Sequence, residues 1–528
     1  MTAWRQYESG KDHKRQIGLY RRVDENERFF RGDQWHGIAS EGLPTPVFNI
    51  IKRITAYLIS AILYYKLSVN YLNRSLPYSD PSPRKKKVSD MLDLLNKMHA
   101  YRWDVENLDN ILREGLTDAA LSGNGIFYSY WDESVAGGNG YVGDIRTETV
   151  DSTNVFVADV NSEDIQRQDY IILSGRTSVY KLRAEAIANG RPADLIEKIV
   201  PDDDLESLAG DYASYENNDL DSEKATYLIK FTKDENGFVS WEKSVKHVII
   251  SSCKTQMKLY PIVSFVWDKV KNSFFGSSPI TELIQNQKYV NKAYAMMMKH
   301  MIDTAFSKVI YDKRLIPEWS NEVGEAIGVM SGGDVSNVVS TVGVGEMQDN
   351  FIEIIESVIS HTKRLSGAND TVLGETDPTN TSAILALREA SEVSLDTVRT
   401  YFITAVKELA LVRFELLREY WAPERPIIIS NSGDDKCTSI DFRIFDGELI
   451  DARVDTGASR RFSQSLLTNT LEWLLKSGHI TFEEYLERIP DGIITRKEEL
   501  LDRARADSER IKATYFNENT TEKEISKE

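Results

Sequence analysis

The rhythm of apolar and polar positions changes several times along the chain, and each change marks a different kind of element. Residues 11–31 place Ile17, Tyr20, Val23 and Phe30 at helical spacing and predict a charged amphipathic helix. A second apolar run opens after Asn49, which stands where an N-cap belongs. Residues 88–121 predict a helix with Met91, Leu92, Leu95, Met98 and Trp103 on its apolar side, ending at Ser122-Gly123-Asn124-Gly125. Alternation then takes over. Residues 126–131, 155–157 and 170–173 read as strands, and so do 227–231, 238–241 and 247–251. Residues 1–270 are therefore expected to mix helix and strand.

From Ser278 onward helical spacing dominates. Ile280, Leu283, Ile284, Gln287, Val290, Tyr294, Met297, Met298, Met301, Ile302 and Ala305 keep a three-four period, with Met296–Met298 expected as adaptable core. Lys288, Lys292 and Lys299 fall on another face. A smaller unit follows: a strand at 307–311, a short helix at 317–327, a strand at 335–344, then a returning helix at 351–365. This pattern suggests a stalk with a compact tip. A polar linker, 367–381, leads into the longest regular segment, 382–420, which would reach roughly 58 Å if unbroken. Its positions Ile384, Leu387, Ser391, Leu395, Val398, Phe402, Ala405, Leu409, Val412 and Leu416 are nearly heptad. A coiled-coil dimer is one reading. Ser391 and Ala405 dilute the seam and favour packing inside a larger assembly. Pro423 and Pro426 stop the helix, strands are expected near 427–430 and 439–445, and a helix near 459–476. Thr481 and Glu484 form a capping box for a helix at 482–488. The whole is an α+β chain.

Composition narrows the chemistry. The length allows roughly three or four units of about 150 residues. Hydrophobic residues make up 41% and aromatic residues 10%, enough for substantial cores. The opening MTAWRQYESGKDHKRQ has no apolar stretch, so no signal peptide is expected. The most apolar window, 47–65, is broken by Lys52 and Arg53, so no membrane association is expected. Cys253 and Cys437 are far apart, which speaks against disulfides, zinc and an oxidising compartment. The formal charge of -18 disfavours a protein that clamps phosphates, yet it suits a wall past which a polyanion must slide. Residues 202–223 carry nine acidic side chains and no basic one, and read as a solvated surface insertion. Arg84–Lys87 reads as a solvated helix entry.

No enzymatic constellation emerges. There is no GxxxxGK[ST] loop for a nucleotide-driven motor, and the seven histidines form no HExxH or close pair. The glycines near 123–138 lack the strand–turn–helix setting of a nucleotide cradle. No cofactor and no metal are expected.

The most informative local segment is 27–54. Phe29 and Phe30 precede Gly32-Asp33-Gln34-Trp35, and Pro44 and Pro46 deliver Asn49 to an apolar run. On its own chemistry this is a structural corner: Gly32 turns the chain, Trp35 is buried and Asn49 caps a helix. His36 is a turn residue rather than a base. The order of these residues resembles the N-terminal region of tailed-bacteriophage portal proteins. LSGANDTVLGETDPTNTSAILALREAS similarly looks like their loop and long channel helix, with Thr381-Ser382-Ala383 where relatives carry Ser-Gly-x-Ala. SGHITFEEYLERIP is similar to their late helical module. In this order the segments cover roughly residues 15–495.

The resemblance implies a wing from 1–277 and 421–458, and a stem from 278–306 and 351–366 flanking a clip at 307–350. It further implies a channel loop at 367–381, a long helix at 382–420, a crown at 459–516 and a disordered tail at 517–528. Leu373, Gly374, Asp377, Pro378, Thr379, Asn380 and Thr381 would form the loop at the DNA channel. Lys288, Lys292 and Lys299 are the channel-facing stem candidates, and Lys313, Arg314 and Glu318 the docking candidates. The function implied is a structural ring, a dodecamer at one capsid vertex, passing double-stranded DNA without sequence specificity during packaging and ejection. Implied partners are the terminase large subunit, a head–tail adaptor, and the major capsid and scaffolding proteins, with assembly in the host bacterial cytoplasm. A capsid-associated scaffold or adaptor without a channel, or a nucleic-acid-processing enzyme with a dispersed site, are the alternatives.

Overall fold

The computed structural model describes residues 2–40, 42–64, 67–74, 83–136, 140–202, 223–304, 308–316, 318, 329, 339–342, 350–368, 395–423, 425–431, 434–455, 462–489, 497, 500–501 and 503–504. The fold is α+β. It divides into two compact units, one of Met1–Ile62 and Tyr71–Ala452, the other of Leu63–Asn70 and Arg453–Glu528.

In the first unit the predicted helix at 11–31 is two helices, α1 (Thr2–Gln16) and α2 (Leu19–Arg31). Gly18 separates them with φ 67°, a left-handed conformation that glycine tolerates and that a helical period cannot reveal. Lys14 on α1 is fully buried. Its ammonium donates to the carbonyl oxygens of Ser152, Thr153 and Val155 at 3.0, 2.8 and 2.7 Å and lies 3.6 Å from the centre of the Phe156 ring. Burial lowers its pKa, and the nearby Asp151 opposes that shift. Three carbonyl acceptors match the three protons of an ammonium, so the side chain pins α1 to the sheet.

The helix expected at 88–121 is likewise two. After α3 (Ile50–Ile62) and strand β1 (Ser68–Asn73) come α4 (Pro83–Val105) and α5 (Leu108–Ser122), with Asn107 at φ 52° between them. Arg84, Lys86 and Lys87 are exposed on the first turn of α4, a solvated helix entry as expected. α5 stops at Gly123, whose φ is 95° and where a Cβ would sit 2.4 Å from the Gly276 carbonyl oxygen. Both the turn and the close approach demand glycine.

Two antiparallel sheets follow. The first has the order β3-β2-β9, from β2 (Asn124–Ala136), β3 (Val142–Thr149) and β9 (Ile262–Val266). The second has the order β4-β5-β6-β7-β8, from β4 (Val155–Val157), β5 (Tyr170–Ser178), β6 (Lys224–Lys233), β7 (Val239–Val245) and β8 (Val248–Lys254). Helix α6 (Val179–Ala188) and the short α7 (Ala193–Ile196) pack on it. Strand β9 pairs with β2 across more than a hundred residues, so no local pattern announces it.

Beyond helices α8 (Pro279–Thr304) and α9 (Asn350–Leu365) and the strand pair β10 (Lys308–Tyr311) with β11 (Val339–Val342), the described chain resumes in α10 (Asp396–Tyr420). The heptad-like seam is confirmed from Leu395 to Leu416, and every one of its positions in that stretch is buried within the chain. Phe402 meets Phe265 of β9 at 5.4 Å, and Phe414 meets Phe445 at 5.7 Å. Of the strand expected at 439–445 only Ser439 belongs to one. β12 (Pro426–Asn431) pairs with β13 (Asp434–Ser439), and Phe442–Phe445 is a 3-10 turn capped by Asp441, which accepts from the Arg443 amide at 3.0 Å.

A buried ionic network ties α10 to α4 and β3. Arg413 donates to Glu106 and to the Thr147 hydroxyl, both at 2.7 Å. Glu106 also pairs with Arg102 at 2.9 Å, and Arg102 pairs with Asp144. Arg425, just past the helix, donates to the Gly143 carbonyl at 2.8 Å and stacks 4.1 Å from the Trp421 ring. The same region buries His99. Tyr71 Oη lies 3.0 Å from the Ala410 carbonyl and 3.3 Å from His99 Nδ1. The single phenolic proton goes to the carbonyl, so the Nδ1–H tautomer of His99 completes the chain of donors. Desolvation, with Arg413 and Arg102 nearby, lowers the His99 pKa to about 3. Burial likewise raises that of Tyr71.

In the second unit, after β14 (Ile450–Asp455), α11 (Phe462–Lys476) packs against α12 (Phe482–Arg488). The capping box is present as expected: the Glu484 amide reaches Thr481 Oγ1 at 3.2 Å and the Thr481 amide reaches Glu484 at 2.9 Å.

Candidate functional site

Helix α8 organises the region that the sequence singled out. Ser278 caps it, accepting from the Ile280 amide at 3.1 Å and donating to the Ala120 carbonyl at 2.5 Å, and Pro279 occupies the first helical position. Three turns on, its buried face turns polar. Gln287 Nε2 donates to the Phe48 carbonyl at 2.7 Å and to Asn291 Oδ1 at 2.9 Å, while Gln287 Oε1 accepts from the Ile50 amide at 3.0 Å. Asn291 Nδ2 donates to Gln34 Oε1 at 2.6 Å, and Gln34 Nε2 donates to the Phe29 carbonyl at 2.9 Å. A second clamp lies one turn into the helix, where Asn26 donates to the Leu121 carbonyl and to Thr281.

The Gly32–Asn49 corner is thus a lock onto α8. Gly32 has φ 100° and ends α2. Asn49 donates to the Phe30 carbonyl at 2.9 Å and accepts from the Lys52 amide at 3.0 Å, the expected N-cap of α3. One detail differs from expectation. Gln34 is the fully buried member, whereas Trp35 is half-buried and donates Nε1 to the Pro46 carbonyl at 2.9 Å. A buried glutamine is chosen because the corner leaves main-chain oxygens inside, and an indole has one donor and no acceptor. Asp33 and His36 lie 3.5 Å apart on the exposed turn. Gln287 and Asn291 were not singled out for chemistry. An i, i+4 amide pair inside an apolar stripe is the signal that could have found them.

Past this lock, Val290, Ala293 and Ile355 form a cluster that joins α8 to α9, with Ile50, Tyr294, Met297 and Phe351 around it. Further along, the apolar face of α8 runs out of partners among the described residues. Met296, Met301 and Ile302 are exposed, Met301 by 60%, so the methionine cluster is only partly core. On α9, Ile352 and Ile354 are exposed as well.

The lysine candidates separate. Lys288 pairs with Glu25 at 2.6 Å above the Phe29 ring, Lys299 pairs with Asp303 at 2.8 Å, and Lys292 is exposed. Lys313 and Arg314 are exposed on a turn after β10, where Asp312 Oδ1 accepts from the Arg314 amide at 2.9 Å; Glu318 is exposed too. The loop residues Leu373, Gly374, Asp377, Pro378, Thr379, Asn380 and Thr381 lie outside the described residues, as do the first third of the long helix, most of the helix at 317–327 and the insertion at 203–222. Among the described residues no cluster of metal ligands occurs, and no helix is long and apolar enough to cross a membrane.

Residues 193–459 match the family model of phage P22-like portal proteins, just over half of the 528-residue chain. The chain belongs to this family. The match on this portal chain takes in α8, the β10–β11 pair, α9 and α10, together with strands β6 to β9 before them. The Gly32–Asn49 corner lies outside the matched range but is bonded directly to Gln287 and Asn291 inside it. As a phage portal protein the chain is a head–tail connector. No curated protein matches it.

Proposed function

We propose that the chain assembles head to tail into a closed ring at one capsid vertex, a dodecamer in the mature particle, through which double-stranded DNA is packaged and ejected. The family match over 193–459 carries this reading. The exposed apolar residues of α8 and α9 support it, because a monomer gains nothing by leaving Met301 and Ile302 in water and a lateral neighbour would cover them. A cyclic ring needs such heterologous contacts.

In this reading α8 and α9 are the stem, 307–350 is the clip, 459–516 is the crown, and residues 367–381 act at the DNA channel. The absence of any basic residue from 373–381 suits a loop that touches DNA without gripping phosphates. Lys292 is the stem lysine best suited to face DNA, since Lys288 and Lys299 are already neutralised by Glu25 and Asp303. The exposed turn of Lys313 and Arg314, with Glu318, is the docking surface for the terminase large subunit and later for the adaptor. Major capsid and scaffolding proteins meet the wing, and assembly takes place in the host cytoplasm. Electron microscopy of the purified chain tests the proposal, a ring with a central hole being the expected form.

A further inference from the structure

A cleft of about 340 Å³ lies in the first unit between the two sheets. Alternation along the strands builds it. Tyr227, Ile229 and Phe231 of β6 share a face with Val239, Trp241 and Lys243 of β7, Phe231 standing opposite Trp241 and Ile229 opposite Lys243. Tyr128 and Tyr130 of β2 stack on each other at 5.0 Å, Tyr128 meets Phe231 at 5.9 Å, and Tyr420 of α10 closes one side.

Its charges do not balance. Glu133, Glu148 and Glu185 line the cleft against Lys243 alone. Lys243 sits 2.6 Å from Glu185 and 4.8 Å above the Tyr227 ring, so one ammonium is already held between a carboxylate and an aromatic face. Glu133 and Glu148 have no hydrogen-bonding or ion-pair partner among the described residues. Arg146, whose charge acts on Glu148, is engaged by Asp132 at 2.9 Å. Desolvation raises the Glu148 pKa, an effect that Arg146 only partly offsets. Both carboxylates are exposed to solvent at the open cleft, so a cation entering it meets them without first breaking an ion pair.

We propose that this cleft binds an alkylammonium or guanidinium group on a short aliphatic chain, its stem against the rings of Tyr128, Tyr130 and Trp241 and its charge at Glu148 and Glu133. Such an occupant would repeat at Glu148 and Glu133 the arrangement that Lys243 already makes with Glu185 and Tyr227. Because α10 supplies one wall, an occupant touches β2, β6, β7 and the end of the long helix at once. The inference does not rest on the ring or on DNA passage.

The experiment is calorimetric titration of the full chain with four probes: N-acetyl-lysine N-methylamide, N-acetyl-arginine N-methylamide, spermidine and the neutral N-acetyl-norleucine N-methylamide. At least one cation should bind saturably, one per chain, and the norleucine probe about tenfold more weakly or not at all. Glu148→Gln should weaken binding about fivefold, while Glu235→Gln on the exposed β6–β7 turn, which removes the same single negative charge, should not. Circular dichroism of each variant establishes that it is folded. Tighter binding of a capped amino acid identifies a basic side chain as the occupant, and tighter binding of spermidine a free polyamine. The proposal is overturned if no cation binds at millimolar concentration, if norleucine binds as well, or if Glu133→Gln and Glu148→Gln both bind as the parent does.

Discussion

Asn291, in the middle of α8, donates a 2.6 Å hydrogen bond to the side chain of Gln34, 257 residues earlier in the chain. Through it the corner at 32–49 is joined to a helix inside the family-matched range. Asn291→Ala leaves Gln34 Oε1 buried without its donor and removes one acceptor from Gln287. The expected cost is about 2–3 kcal/mol, read as a lowered urea midpoint at unchanged slope. An unchanged midpoint would show that the lock is not a structural element.

The ionic network around Arg413 predicts a larger effect. Arg413 is buried, and Arg413→Met leaves Glu106 with Arg102 alone and Thr147 with Ser129 alone. Breaking a buried pair in this way costs about 3–5 kcal/mol, so this variant should be among the most destabilised of single α10 substitutions. The same urea titration checks it, and a loss below that of an exposed α10 substitution such as Thr400→Ala would contradict it.

His99 gives a pH dependence with a definite sign. Its folded pKa of about 3 lies below the ordinary 6.5, so the unfolded chain takes up the proton first as pH falls. Stability linked to His99 is complete above 6.5 and declines as pH drops toward 3. Asp118 acts oppositely, because desolvation raises its pKa from 3.8 to about 7 and its contribution is lost as pH rises through that range. Comparing the parent with His99→Gln cancels Asp118. The difference in unfolding free energy should move against the parent by about 1 kcal/mol per pH unit below 6.5. A pH-independent difference would mean that His99 takes up its proton as readily in the fold as in the unfolded chain.

The channel loop predicts a gain as well as a loss. Replacing Asp377 and Thr379 by Lys should increase the affinity of assembled rings for DNA and steepen its salt dependence, since each new phosphate contact releases counterions. Deleting 377–380 should leave rings intact and lower DNA retention. If both variants bind and retain DNA as the parent does, residues 373–381 do not act at the channel.

Much of this fold was legible in the sequence for simple reasons. The seam from Leu395 to Leu416, the capping box at Thr481 and Glu484, and the N-cap at Asn49 each announce themselves within a few residues. What escaped depends on single backbone conformations or distant partners. Gly18 and Asn107 break helices whose apolar period runs straight through them. β9 is a strand because β2 lies beside it, and Phe442–Phe445 is apolar like a strand but folds back as a turn. At the site, the visible Trp35 drew attention while the less conspicuous Gln34, Gln287 and Asn291 make the buried bonds.

The central claim is assembly through the uncovered stem. Negative-stain microscopy and native mass measurement of the purified chain at micromolar concentration in physiological salt test it most directly. A closed ring with a central hole is predicted, and Met301→Glu with Ile302→Glu should shift it to smaller species without unfolding the subunit. A stable, well-folded monomer or a discrete dimer under the same conditions would contradict the account.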